Sequence, residues 1–126
     1  DKAKRLRRMY GGAMRQSGIL AAAGIYALEH HIGRLKLDHD HAKRLARQLQ
    51  QIPTVRINPQ DVDTNIVIFE VIGHRLPPPA IVTALKQEGV LINAIGGNSF
   101  RAVTHLDISS AMTEAACQIF TRVLMN

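Results

Sequence analysis

The chain has 126 residues, enough for one small domain with a modest core. Apolar residues make up 46% of it and aromatic residues 4%, which excludes an intrinsically disordered chain and predicts an aliphatic core. The formal charge is +6, with eleven arginines against five lysines, and guanidinium groups favour forked binding of carboxylate or phosphate.

Three helices are predicted over the first 52 residues. The basic run 1–10 forms a short helix that ends at Gly11-Gly12. A second helix, about 14–31, is apolar on nearly all sides, so we expect it to be buried on nearly all sides. The third helix, about 34–51, has an apolar stripe opposite a charged face, and Pro53 ends it.

Strands and helices alternate in the rest of the chain. The predicted strands are 54–57, 64–71, 90–92 and 100–105, and the predicted helices are 79–88 and one from Ser109 or Ser110 to about 124. The strand 64–71 is apolar on both faces, which predicts a central place in its sheet, and Ile95–Ser99 is predicted as a loop.

This order of elements predicts an α+β fold. The buried helices predicted in residues 1–52 precede a small C-terminal α+β domain of residues 53–126. That domain has the order β-β-α-β-β-α and a short, mainly antiparallel sheet packed on helices.

The first candidate site is the segment around Arg15. A helix that starts after Gly11-Gly12 presents free amide groups, which attract anions, and Arg15 adds a full charge there. Arg8, one turn before the glycines, could reach the same place. We interpret this segment as a phosphate or carboxylate site; the alternative is that Arg15 extends into solvent and the glycines only end a helix.

The second candidate site is Arg101. Strand alternation places it on one face with Val103 and His105, next to a Gly-Gly-Asn-Ser loop that could move aside or approach a ligand. An arginine there suits a carboxylate. The alternative is a structural salt bridge.

Other classes of site are disfavoured. The histidine pairs His30-His31 and His39-Asp-His41 lack the spacing of a metal site, and the basic N-terminus lacks the aromatic residues of a nucleic-acid binder. Cys117 is predicted to be a small core residue. No secretory leader and no apolar run of ~18 residues is present, so we expect a cytoplasmic protein outside the membrane.

Four stretches carry a family resemblance: "RRMYGGAMRQSGILAAAGIYALEHHIGRLKLDHDHAKRLARQL", "DTNIVIFEV", "GVLINA" and "FRAVTHLDIS". Together they cover essentially the whole chain and resemble the low-specificity L-threonine aldolases, enzymes that use pyridoxal phosphate on the aspartate-aminotransferase-like fold. The blocks G-G-x-M-R-Q and R-x-V-T-H-L-D are the specific part. Two residues depart from the pattern: Ala13 replaces a usual third glycine, and Arg8 stands where a lysine is common.

The resemblance implies the C-terminal part of a fold-type I pyridoxal phosphate enzyme, in which residues 1–52 complete the large domain and the subunit interface. Arg101 matches the arginine that binds the substrate's α-carboxylate. Arg15, with Arg8, matches basic residues near the cofactor phosphate. The Schiff-base lysine belongs upstream, so no catalytic residue is assigned in this chain, and Asn65 and His105 receive no role.

The implied activity is cleavage of L-threonine or L-allo-threonine to glycine and acetaldehyde through an imine with pyridoxal phosphate. It requires the upstream portion, in a homodimer or homotetramer, and this chain alone is expected to be inactive. The alternative is a catalytically inactive module that retains only the oligomerisation surface.

Overall fold

The chain forms two compact units in the computed structural model, which describes residues 1–125. The first unit is Asp1–Arg34 and the second begins at Leu35. The division by packing therefore falls before the third helix. The domain boundary at residue 52, which concerns the complete enzyme, stays a prediction.

The first helix of the first unit, α1 (Lys2–Met9), ends at the glycine pair as predicted. The amide of Gly12 donates to the carbonyl of Arg7 at 2.7 Å, and the amide of Gly11 donates to that of Arg8 at 3.2 Å. Gly11 has a φ of +78°, so the residues form a Schellman ending, which requires a left-handed residue at this point. A Cβ on Gly12 would lie 3.0 Å from the Arg7 carbonyl oxygen, which accounts for the second glycine.

The second helix, α2 (Gly18–His30), begins later than the predicted position 14. Gln16 has a φ of +51°, a left-handed conformation that interrupts a right-handed helix. No residue of α2 is buried within residues 1–125, so the described chain does not supply the burial predicted for this helix. A short 3-10 turn, Ile32–Arg34, follows between the second and third predicted helices.

The second unit places three helices against a four-stranded antiparallel sheet. The helices are α3 (Leu35–Gln50), α4 (Pro78–Gln87) and α5 (Ser110–Met125), and the strands are β1 (Val55–Arg56), β2 (Ile66–Val71), β3 (Asn93–Gly96) and β4 (Ser99–Val103). The strand order is β1-β2-β4-β3. The predicted α+β class and the order β-β-α-β-β-α are confirmed.

The core of the second unit is mainly aliphatic, as predicted, but three phenylalanines form its centre. The rings of Phe69 and Phe100 stack with centroids 5.6 Å apart, and Phe120 of α5 meets Phe69 edge-on at 5.8 Å. The predicted core residue Cys117 is buried beside them on α5. These contacts fix α5 to the sheet through directional ring packing.

The third strand differs from the prediction. Residues 90–92, predicted as a strand, have no strand pairing, and β3 instead begins at Asn93 and includes Ile95 and Gly96 of the predicted loop. Apolar character alone did not identify the paired residues, because pairing with β4 through Ala94 opposite Phe100 sets the register.

Candidate functional site

One face of the sheet is open, and Arg101 lies on it. Side chains alternate along β2 and β4, so that Val67 and Phe100 face the core while Ile66, Ile68 and Arg101 face outward. Ile68 remains 54% exposed. β2 lies between β1 and β4 and is central as predicted, and the helices cover one of its two apolar faces.

Arg101 is held by strand pairing on both sides. Its Cα partners are Ile68 in β2 and Asn93 in β3. The side chain is exposed, and within residues 1–125 it makes no hydrogen bond or ion pair. The salt bridge considered as an alternative is therefore not formed inside the described chain, and the guanidinium group is available to an anion.

The turn next to Arg101 is tight. Gly97 and Asn98 form a two-residue hairpin between β3 and β4, with left-handed φ values at Gly96 and Gly97. The Asn98 carbonyl accepts a hydrogen bond from the amide of Val71 at 3.0 Å, which ties the hairpin to the end of β2. Of the predicted loop, Ile95, Gly96 and Ser99 belong to strands, and only Gly97 and Asn98 remain in a turn.

The other end of β4 is fixed by Thr104, a residue to which the sequence assigned no role. Its amide donates to the Asn65 carbonyl at 2.9 Å, and the Asn65 amide group donates to the Thr104 carbonyl at 2.7 Å. Its buried hydroxyl donates to the Asp38 carbonyl of α3 at 2.7 Å. A polar residue at an inward position of the alternation was the available signal, because buried hydroxyls need a partner.

His105 lies just after the strand rather than in it, since β4 ends at Val103. The amide of Asp107 donates to Nδ1 of His105 at 3.4 Å, and an Asp107 carboxylate oxygen lies 3.5 Å from the same atom. The histidine is exposed and hydrogen-bonded at the start of the turn that follows β4.

Arg8 and Arg15 belong to the first unit. Arg8 lies in the last turn of α1, and Arg15 lies in the turn that precedes α2, not in the helix itself. Both are exposed, and neither side chain has a partner among residues 1–125. The glycine pair ends α1, and α2 begins only at Gly18. The free amide groups that were predicted for a helix start directly after Gly12 therefore do not lie there.

Few other groups in the described chain could do chemistry. Residues 1–125 contain no cluster of three or more histidine, cysteine or acidic side chains that could hold a metal ion. Burial raises the pKa of the Cys117 thiol, which keeps it protonated and unreactive. None of the helices in this part of the chain is both long enough and apolar enough to cross a membrane.

The arrangement suits anion binding. A pyridoxal phosphate–amino acid pair presents one phosphate and one carboxylate, and an unpaired guanidinium group can bind either with two parallel hydrogen bonds. Arg101 stands beside apolar Ile68, which would strengthen such bonds once water is excluded. Arg101 is therefore suited to bind one such anionic group, and Arg8 and Arg15, described separately in the first unit, are also exposed cations.

A small antiparallel sheet with helices on one face and a free arginine on the other is consistent with the C-terminal part of a fold-type I pyridoxal phosphate enzyme. The model of the family Beta-eliminating lyase matches residues 1–71. The chain belongs to this family.

Its relatives include low-specificity L-threonine aldolases. The one from Escherichia coli K12 is 45% identical over 108 residues, covering 86% of this chain and 30% of the relative. One from Arabidopsis thaliana is 34% identical over 128 residues, covering 99% of this chain and 35% of the relative. A Candida albicans relative of the same name is 30% identical over 81 residues, 64% of this chain and 21% of its own length. The chain thus spans about a third or less of these relatives.

Proposed function

We propose that this chain is the C-terminal part of an aldehyde lyase that cleaves L-threonine or L-allo-threonine to glycine and acetaldehyde. The observation that carries the proposal is Arg101, unpaired on the open face of the sheet, in a chain similar to threonine aldolases. The cofactor is pyridoxal phosphate, whose lysine is supplied by an upstream portion. When bound, pyridoxal phosphate supplies the electron sink that allows a bond at the α-carbon to break.

Arg101 binds and orients the substrate. A bidentate contact to the α-carboxylate fixes the rotation of the amino acid and so determines which bond of the α-carbon is presented for cleavage. β2 and β3 hold the arginine from both sides, so the clamp is built on a rigid element.

Arg15 and Arg8 serve the phosphate end of the cofactor. Their free, exposed guanidinium groups lie on either side of the glycine turn that ends α1. Two such groups compensate most of the charge of one phosphate. In a homodimer or homotetramer, they could act on the site of the neighbouring subunit.

The second candidate function is an inactive module that keeps only an oligomerisation surface. The exposed apolar α2 favours it: Ile19, Leu20 and Leu28 are each more than 60% exposed. This candidate predicts that the natural protein assembles into oligomers but shows no cofactor absorption band.

Arg101→Gln in the complete enzyme tests the main proposal. Charge-assisted hydrogen bonds contribute about 1.5–3 kcal/mol each, so losing two should cost about 3 kcal/mol or more, roughly 100-fold in kcat/KM. An independent readout is the binding preference for glycine over methylamine, which lacks the carboxylate, followed by the cofactor absorption. We expect the preference to shrink by a similar factor.

Arg56→Gln is the matched control. Arg56 lies on β1 opposite Glu70, so this variant removes one arginine charge from the same sheet. A normal glycine preference in Arg101→Gln would contradict the proposal. Equal losses in both variants would show that only the total charge of the face matters.

A further inference from the structure

A hydrogen bond from Thr104, the residue that follows β4, attaches the end of this strand to α3, while most of the surrounding packing is apolar. Thr104 is only 5% exposed, and its hydroxyl donates to the backbone carbonyl of Asp38, in the first turn of α3. The same helix meets the chain again one turn later, where Nε2 of His41 is hydrogen-bonded to the hydroxyl of Ser110 at 3.0 Å. Both ends of the segment 104–110 are therefore attached to α3.

Strand pairing and apolar packing do not by themselves fix the position of the sheet along α3. Pairing with β2 and β3 fixes Arg101 within the sheet, but the sheet meets α3 through aliphatic side chains such as Leu45 and Val67, whose attraction is not directional. A hydrogen bond is directional and short-ranged, so the 2.7 Å bond from Thr104 defines where the sheet stands along the helix. Arg101 lies in β4, three residues before Thr104, about 10 Å along the extended chain.

We propose that Thr104 is a positioning residue for Arg101. Its hydroxyl sets the position of β4 against α3, and with it the height of the guanidinium group above the helix layer. The inference rests on the proposed function, in which Arg101 binds the substrate carboxylate. Asn65, directly before β2, supports this position, because it exchanges two hydrogen bonds with the backbone of Thr104.

The test uses the complete enzyme loaded with its cofactor and compares Thr104→Val, which keeps the shape and removes the hydroxyl, with Thr104→Ser, which keeps the hydroxyl. Since a misplacement of about 1 Å can cost ~100-fold in rate, we expect Thr104→Val to lower kcat/KM for L-threonine at least about 10-fold. The glycine-over-methylamine preference should fall with it, and Thr104→Ser should restore both.

Thr83→Val is the control for removing such a bond. The Thr83 hydroxyl donates to the Pro79 carbonyl at 2.9 Å on the exposed side of α4, away from β4. We expect no change in activity or glycine preference from this variant. Thermal unfolding of each complete enzyme separates positioning from lost structure: losing one hydrogen bond costs about 1 kcal/mol, so the melting temperature of Thr104→Val should fall by no more than about 4 °C.

The outcomes separate the two claims. If Arg101→Gln loses the glycine preference but Thr104→Val keeps it, Thr104 does not position the arginine, while the proposed function stands. If Arg101→Gln itself keeps the preference, the proposed function fails first. If Thr104→Val does not fold, Thr104→Ala replaces it, and unchanged glycine preference in that variant overturns the inference.

Discussion

The two faces of the sheet should respond very differently to truncation. Phe100→Ala removes a fully buried ring that stacks on Phe69, and such truncations cost about 3–5 kcal/mol through lost burial and the cavity left behind. Ile68→Ala acts on the opposite face of the neighbouring strand. Because 54% of Ile68 is already exposed and no cavity forms, we expect about 1 kcal/mol.

Urea unfolding of the chain, followed by circular dichroism, measures this difference. With a slope of about 2 kcal/mol/M, Phe100→Ala should lower the midpoint by about 2 M and Ile68→Ala by about 0.5 M. The slopes should be unchanged, because the same surface is exposed on unfolding. Equal shifts for the two variants would refute the open face and, with it, the availability of Arg101 to a ligand.

Three further predictions follow from other contacts. Cys117 should resist iodoacetamide at pH 8 until denaturant is added, because burial raises its pKa. A fast reaction in the folded chain would contradict its burial. The contribution of the buried thiol to stability should be lost as the pH rises above about 9. Arg15→Gln in the complete enzyme should weaken pyridoxal phosphate binding about 10-fold, measured by cofactor titration, and unchanged affinity would remove Arg15 from the phosphate site. Gly11→Ala should destabilise the end of α1 by about 1 kcal/mol, seen as faster amide exchange at Gly12, whereas Gly11→Asn, which tolerates a left-handed φ, should cost less.

The sequence predicted which residues of β4 share a face with Arg101, because the alternation of side chains along a strand alone decides this. Alternation placed Arg101 on one face with Val103, and the structure confirms this, because Phe100 and Ala102, which alternate with them, are buried in the core. Period alone could not tell that Ile66 and Ile68 face away from the core, since a strand with apolar residues on both sides has the same pattern whether one or two layers cover it.

The remaining misses concern contacts between distant segments. The hydroxyl of Thr104 finds a carbonyl 66 positions earlier in the chain, a pairing that no local pattern encodes. The start of α2 moved because Gln16 adopts a left-handed conformation that its residue type does not favour. The resemblance named Arg101, Arg15 and Arg8, and their roles stay predictions. It did not show that α2 begins several residues after the glycine pair that ends α1.

The two-residue hairpin at Gly97-Asn98 has a consequence for motion. With its tip tied to Val71, this edge of the sheet contains no slack that could fold over a bound molecule. Arg101 can therefore change its backbone position only if the strands paired with β4 move with it. The proposed binding of a substrate carboxylate by Arg101 would then leave the backbone conformation around the arginine unchanged.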